Sequence, residues 1–279
     1  MYTFLCENSI DGIFTGIYDA WASRFGHKNI RLHTGKVTDY ELFQEYIQVT
    51  PDTGKSTKVA DTIRRRLGEE VYLTLCQAIL ANELHTHKNG LDKADCIYRS
   101  LLLGFSLPDG SKVLDALNLP YIHRIFELSR ATSMEAHHLL GFLRFSELTN
   151  SVLFATIHPK NYVLPLLAEH FTDRLPQENF LIYDENRRLA ALHRAGSNYL
   201  IADASSLNED MKKRYSSNEL EYRKLWCCFF DSIAIDARRN PALQSQNIPH
   251  RFWKDTVELS PDTASRHEPC KTASLHSPM

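Results

Sequence analysis

Near the carboxyl end of the chain lies a cationic and aromatic run of residues that is suited to contact with a polyanion. Residues 237–254 read ARRNPALQSQNIPHRFWK and contain four Arg or Lys residues and no acidic residue. Arginine and lysine contact phosphates, amides form hydrogen bonds with bases, and an indole offers a stacking surface. The predicted nucleic-acid or partner contacts are Arg238, Arg239, Asn240, Gln244, Arg251, Trp253 and Lys254.

The same segment also permits a structural interpretation. Two internal prolines prevent one continuous helix. In this interpretation the segment wraps the domain, Phe252 and Trp253 fill the core, and the arginines pair with acids such as Asp231 and Asp236. The residues alone leave both interpretations open.

A second group of candidates is polar and consists of Glu135, His137, Arg144 and Asp184. A carboxylate and an imidazole close together perform acid–base work, and an inward arginine on a strand binds an anion or a buried acid. The spacing of Glu135 and His137 does not match HExxH, and no Ser-His-Asp or Cys-His arrangement stands out. The sequence therefore gives a possible polar site, assigns no catalytic residue and leaves enzymatic activity open.

The sequence contains no complete metal or cofactor motif, so neither a metal nor a cofactor is predicted. The six cysteines are scattered without CxxC spacing, which is typical of reduced thiols. The HxH pair at 85–87 lacks a third ligand, which favours surface histidines. Gly54–Ser56 ends like a phosphate loop, but Val49 stands where that loop needs glycine. A helix start capped by Ser56 or Thr57 is predicted instead.

Composition limits the classes of function that the whole chain can have. A net charge of −2 over 279 residues means that nucleic-acid binding must come from a local patch. No apolar run approaches the roughly 20 residues of a membrane helix, and residues 1–7 lack the basic start of a signal peptide. A cytoplasmic protein without a membrane partner is predicted.

The elements that must position these candidates are clearest between Gly141 and Tyr183. Alternating apolar and polar residues predict strands, and apolar residues at helical spacing predict a crossing helix. The predicted order is hairpin, crossing helix, returning strand and antiparallel meander, over Leu143–Leu148, Val152–Ile157, Val163–Phe171, Phe180–Tyr183, Leu189–His193 and Tyr199–Ile201. A hairpin, a crossing helix and a returning strand make one α+β unit.

The stretch from Ile13 to Leu140 is mostly helical in pattern, with strands predicted at Tyr2–Cys6 and Glu45–Val49. Within it, Arg64–Arg66 is interpreted as a solvated helix face with internal salt links to Glu69 and Glu70.

The predicted fold is therefore α+β, with a helical N-terminal half packed on an antiparallel sheet with a crossing helix. A single domain is expected over 1–258, with its helical part over about 1–140 and its sheet part over about 141–258. Residues 259–279 are rich in Ser, Pro and Thr and lack apolar periodicity, which predicts a disordered tail.

Across nearly its whole length, to about Glu258, the chain resembles a bacterial family of unknown function associated with DNA metabolism. The resemblance is long and collinear. It is carried by Ile10–Gly16, Glu135–Phe145, Val163–Ala168 with His170, Phe171 and Arg174, Ile182–Asp184 with Arg187, Arg239–Gln244 and Pro249–Lys254. The family pattern has an arginine after the first histidine of the second segment, where this chain has His138.

The resemblance implies a genomic and functional context. Members lie beside a radical-SAM protein of DNA modification or repair, and some related proteins carry this domain fused to a uracil-DNA-glycosylase-like domain. It therefore implies a DNA-repair or DNA-modification accessory protein that binds DNA, a radical-SAM partner, or both. The first alternative is an enzyme that acts on a damaged base, with Glu135, His137 or Asp184 as acid or base. The second is a scaffold that holds the partner without touching DNA.

Overall fold

The computed structural model describes residues 1–35, 41–82, 91–207 and 214–259, apart from the side chain of Asp236. These residues form two compact units. Unit 1 comprises Met1–Glu135 with Lys160–Val163, and unit 2 comprises Ala136–Pro159 with the described residues from Leu164 onwards. Helices and strands are mixed in the chain, so the predicted α+β class is confirmed. The single domain expected over 1–258 stays a prediction.

Unit 1 contains a three-stranded parallel sheet in the order β2-β1-β3. Its strands are β1 (Tyr2–Cys6), β2 (Ile30–Thr34) and β3 (Glu45–Gln48). The sequence analysis predicts β1 and β3 but not β2. Strand β2 does carry a strand signal, since buried Ile30 and Leu32 alternate with polar residues. The N-terminal half is thus less purely helical than predicted.

The helices of unit 1 follow from their apolar faces. They are α1 (Ile10–Ala22), α2 (Thr53–Leu67), α3 (Glu69–Leu80), α4 (Lys93–Ser106) and α5 (Pro120–Phe142), whose last residues belong to unit 2. The helices and the sheet share one apolar core.

The start of α2 differs from the prediction. Asp52, not Ser56 or Thr57, is the N-cap, and its carboxylate accepts the backbone N–H of Lys55 at 2.9 Å. Ser56 already lies within the first turn of α2. Because a carboxylate occupies an N–H group at the helix start that a phosphate loop would offer to phosphate, the cap argues against that role.

The glycines of Ile10–Gly16 have a packing role. A Cβ on Gly16 would stand 2.2 Å from Sγ of Cys6, and one on Gly12 would stand 2.4 Å from the carbonyl oxygen of Glu7. These distances are too short for any side chain, so α1 lies directly against the end of β1. This part of the family resemblance is therefore explained by packing.

Lys93 fixes the end of α3. Its side chain is fully buried, and its ammonium donates to the carbonyl oxygens of Ile79 at 2.6 Å and Ala81 at 2.8 Å. Carbonyls at a helix end lack partners within the helix, and a cation there satisfies them.

Unit 2 is built on a five-stranded sheet in the order β4-β5-β6-β7-β8. The strands are β4 (Ser146–Glu147), β5 (Leu153–Ile157), β6 (Phe180–Asp184), β7 (Leu189–His193) and β8 (Tyr199–Asp203), and α6 (Leu164–Arg174) lies between β5 and β6 in sequence. Hairpin, crossing helix, returning strand and meander thus occur in the predicted order.

Two details of the predicted sheet are wrong. The sheet is mixed, because β5 and β6 pair in parallel while the other neighbours pair antiparallel. A helical crossover returns the chain in the same direction, which requires a parallel pair. The first predicted strand is only two residues long, since α5 continues to Phe142 and Arg144 donates to the carbonyl oxygen of Gly141 at 2.9 Å.

The C-terminal part of unit 2 is helical in short pieces. It contains α7 (Ser217–Ser232), α8 (Pro241–Asn247) and 3₁₀ segments at Asp236–Arg238 and His250–Asp255. Across the described ranges, no helix combines the length and apolar character that crossing a bilayer requires. The HxH pair at 85–87 and the predicted tail beyond 259 lie outside the described residues.

Candidate nucleic-acid interface and imidazole–carboxylate cluster

The predicted contact segment, residues 237–254, is called the C-terminal strip. Arg238, Arg239, Arg251 and Lys254 are all exposed. Asn240 is also exposed, but its side-chain oxygen caps α8 by accepting the N–H of Leu243 at 3.0 Å. The strip therefore presents four cations to solvent, while the oxygen of the Asn240 amide has a structural role.

The two aromatic residues of the strip have different contacts: Phe252 packs against the rest of unit 2, and Trp253 is bonded within the strip. Phe252 is 2% exposed, and its ring centroid lies 5.5 Å from that of Phe142 and 6.1 Å from that of His138. Trp253 is half-buried, and its indole N–H donates to the carbonyl oxygen of Ile248 at 2.8 Å. Phe252 is thus buried, as the structural interpretation expected, whereas the four cations are exposed, and their contact with a nucleic acid stays a prediction.

The acidic residues just after the strip hold it further. Glu258 accepts from the Arg144 guanidinium at 3.1 Å and from the indole N–H of Trp226 at 3.0 Å. Asp255 contacts the imidazole of His158, with 2.9 Å between Oδ1 and Nδ1. These contacts fix the end of the strip within unit 2.

The predicted polar residues have other contacts. Glu135 is buried, and its carboxylate accepts the backbone N–H groups of Lys160 at 3.0 Å and Asn161 at 2.7 Å. This double contact satisfies the charge and fixes a loop to α5 within unit 1. Glu135 is therefore engaged in the fold.

Asp184 is completely buried and pairs with Arg187 at 3.1 Å. Burial is the largest influence on its carboxyl and raises its pKa, while the Arg187 charge and hydrogen bonds oppose that rise. His137 is exposed, and its ring lies 6.5 Å from that of His138. Arg144 is engaged by Glu258 and by the end of α5.

A titratable cluster that the sequence analysis missed is centred on His158. Its Nδ1 faces Asp255 and its Nε2 faces Glu185, so a carboxylate contacts each ring nitrogen. The side chains of His158 and Asp255 are 16% and 7% exposed, whereas that of Glu185 is 41% exposed. One carboxylate is thus buried behind the ring and the other meets solvent.

The strand topology explains why His158 and Glu185 lie close together. His158 follows β5 and Glu185 follows β6, and these strands are parallel neighbours. Carboxyl ends of parallel neighbours meet at one edge of a sheet, which is where such folds place functional groups. This signal was available in the sequence. Asp255 was not predictable in this way, since it lies 97 residues from His158.

The environment of His158 favours its charged form. Burial is the largest influence and lowers the pKa of the imidazole, and Lys254 also lowers it, but the contacts with Asp255 and Glu185 outweigh both and raise it above its ordinary value of 6.5. An imidazole oriented by one carboxylate and close to an accessible second one is suited to proton transfer.

A further surface of unit 2 is apolar. Along α7 and just beyond it, Tyr222, Leu225, Trp226, Phe229 and Ile233 recur at spacings of three and four and are between 42% and 68% exposed. Residues at this spacing share one face of a helix. Exposed apolar faces of this kind mark contact surfaces for other macromolecules.

A family model described as a domain of unknown function, DUF4130, matches residues 91–258. The comparison with curated proteins found no match. Among solved structures, the chain is similar to a DHH domain from a member of the s1p family of ribosomal proteins, with 11% identity and a TM-score of 0.32 over 70% of this chain and 73% of that chain. A TM-score this low supports no argument.

Proposed function

The chain belongs to the DUF4130 family of unknown function, and we propose that it is an accessory protein of DNA repair or modification that binds DNA through the C-terminal strip. The observation that carries this proposal is the exposure of Arg238, Arg239, Arg251 and Lys254 on a segment that Phe252 fixes to unit 2. Cations held on a folded segment bind phosphates without first having to order it. The half-buried Trp253 adds a stacking edge.

The proposal includes a protein partner. The family resemblance suggests a radical-SAM protein of DNA modification or repair. The apolar face of α7, with Leu225 and Phe229 63% and 53% exposed, supports contact with a protein. DNA would then bind the C-terminal strip, and the protein partner would bind α7, which precedes the strip in sequence.

A salt titration tests the DNA proposal. Binding of labelled duplex and single-stranded DNA should weaken linearly in a logarithmic plot against salt, with a slope of about −0.9 per phosphate contact on duplex and about −0.7 on single strands. Arg238→Gln with Arg251→Gln should weaken binding at low salt about ten-fold and make the slope shallower by about 1 to 2.

The matched control is Arg174→Gln with Arg194→Gln, which removes the same charge from exposed positions of unit 2 outside the strip. This control should bind within about two-fold of the parent chain, since it removes no phosphate contact. Equal losses in both double variants would show a general charge effect, and the strip would lose its role. Partner capture without any DNA affinity would favour the scaffold alternative.

The His158 cluster supports a second candidate function, an enzyme that acts on a damaged or modified base. Proton transfer to or from a base or its leaving group needs an oriented acid or base. His158 fits this need better than Glu135 or Asp184, because one of its two carboxylate partners, Glu185, is 41% exposed and meets solvent, whereas Glu135 and Asp184 contact only groups of the fold.

Lesion-containing oligonucleotides test this second function. The parent chain should convert at least one lesion, and His158→Gln should lower the rate by about 100-fold, the lower end for a lost acid–base group. His170→Gln, which changes an exposed histidine of α6, should leave the rate unchanged. A rate that survives His158→Gln would remove the cluster from the chemistry.

A further inference from the structure

A cleft of about 650 Å³ lies in unit 1 between α1, α2 and α4. Its floor is apolar and includes the buried residues Ile17, Ile63 and Leu101. Small-molecule sites typically have this size and an apolar lining with few polar groups. The cleft therefore has the dimensions of a ligand site.

Aromatic rings form one wall. The Trp21 ring lies 5.6 Å from that of Phe105 and 5.8 Å from that of Tyr98, in edge-on contacts, yet Trp21 is 38% exposed. Tyr18 and Phe105 also line the cleft. Neighbouring rings thus fix the indole while its accessible surface can still stack against a flat ligand.

Three exposed cations belong to the lining of the cleft. Arg24, Lys58 and Arg66 line the cleft, and within the described ranges its lining contains no acidic residue. Lys58 and Arg66 are eight residues apart on α2, close to two helical turns, and so share one face. The Arg66 guanidinium lies 5.0 Å from the centroid of Phe105, which places a positive charge beside the aromatic wall.

The two arginines that precede Arg66 on α2 have different surroundings. Arg64 pairs with Glu69 at 3.1 Å and stacks over Tyr72 at 3.7 Å, as expected for a solvated face with internal salt links. Arg65 is exposed and does not line the cleft. Of the run Arg64–Arg66, only Arg66 lines the cleft.

We propose that this cleft binds a nucleoside phosphate, with the base against Trp21 and the phosphate among Arg24, Lys58 and Arg66. An apolar floor and aromatic wall suit a planar base, and three cations without a lining carboxylate suit a dianion. The proposal is independent of DNA binding by the C-terminal strip. Trp21 and the three cations lie outside the family-model range 91–258, whereas Phe105 lies inside it.

Calorimetric titration of the full chain with dAMP, deoxyadenosine and inorganic phosphate as separate probes tests the proposal. We expect one saturable site for dAMP, with deoxyadenosine and phosphate each binding at least ten-fold more weakly. Lys58→Gln and Arg66→Gln should each weaken dAMP about ten-fold, as for a lost charge-assisted contact. Trp21→Leu should weaken it by a similar factor through lost stacking.

Arg65→Gln is the matched control and should bind dAMP within about two-fold of the parent chain. Arg238→Gln with Arg251→Gln should also bind normally, so failure of the strip and failure of the cleft are distinguishable. Thermal melting of each variant verifies folding. Absence of saturable dAMP binding, equal binding of phosphate alone, or equal losses for Arg65→Gln and Arg66→Gln would each overturn the proposal.

Discussion

Phe252→Ala is expected to lower the free energy of unfolding of unit 2 by about 3–5 kcal/mol. The ring is 2% exposed and packs against Phe142 and His138. Truncation removes apolar burial and leaves a cavity, because close-packed surroundings relax only in part. The effect should be large although Phe252 lies in a short 3₁₀ segment near the end of the described chain.

Urea unfolding followed by tryptophan fluorescence measures this loss. A Trp21→Phe background removes the indole of unit 1, so that Trp226 and Trp253 report on unit 2. Leu243→Ala, in the same strip but 50% exposed, should change the free energy by less than about 0.5 kcal/mol. If Phe252→Ala behaves like Leu243→Ala, the strip folds independently of unit 2.

The result also bears on DNA binding. If Phe252 anchors the strip, Phe252→Ala should weaken DNA binding even though it removes no cation, because Arg251 and Lys254 lose their fixed positions. Phe252→Leu keeps most of the apolar volume and should keep most of the affinity. This comparison separates the charge of the strip from its placement.

Local sequence patterns are sufficient to predict many of the helices and strands of unit 2. The short apolar runs Val152–Ile157 and Leu189–His193 and the helical spacing of Val163–Phe171 identified elements that the structure contains. These signals depend on neighbours in sequence. Strand direction and helix caps were less well predicted, as with the parallel β5–β6 pair and the cap at Asp52. The cap depends on a choice among neighbouring residues of similar chemistry. The parallel pair instead follows from the helical crossover between β5 and β6, which the predicted antiparallel sheet did not take into account.

Residues that contact each other across long sequence separations were beyond this reasoning. The cleft in unit 1 joins Trp21, Arg66 and Phe105 from three helices, and nothing in the local pattern pairs them. Arg66 was interpreted with Arg64 as part of a solvated face. The tertiary contacts show that the two side chains have different surroundings: Arg66 points toward Phe105 and Arg64 toward Glu69.

His158→Gln is expected to remove a stabilisation of unit 2 that depends on pH. The folded-state pKa of His158 lies above its ordinary value, so its contribution is fully present below about pH 6.5 and is lost as pH rises through the folded-state pKa. At pH 6 we expect His158→Gln to lower the free energy of unfolding by roughly 1.5–3 kcal/mol, the usual contribution of a hydrogen bond to a charged group. The loss should shrink toward pH 9.

The measurement is the difference in free energy of unfolding between the parent chain and His158→Gln at several pH values, together with the imidazole pKa by NMR. Taking the difference cancels groups that titrate equally in both chains. His170→Gln, an exposed histidine on α6, should show no such trend. A measured pKa of His158 at or below 6.5, or a difference that grows with pH, would show that Asp255 and Glu185 do not outweigh burial and Lys254. The imidazole would then be mostly neutral at pH 7, and it would have to act as a base in any proton transfer.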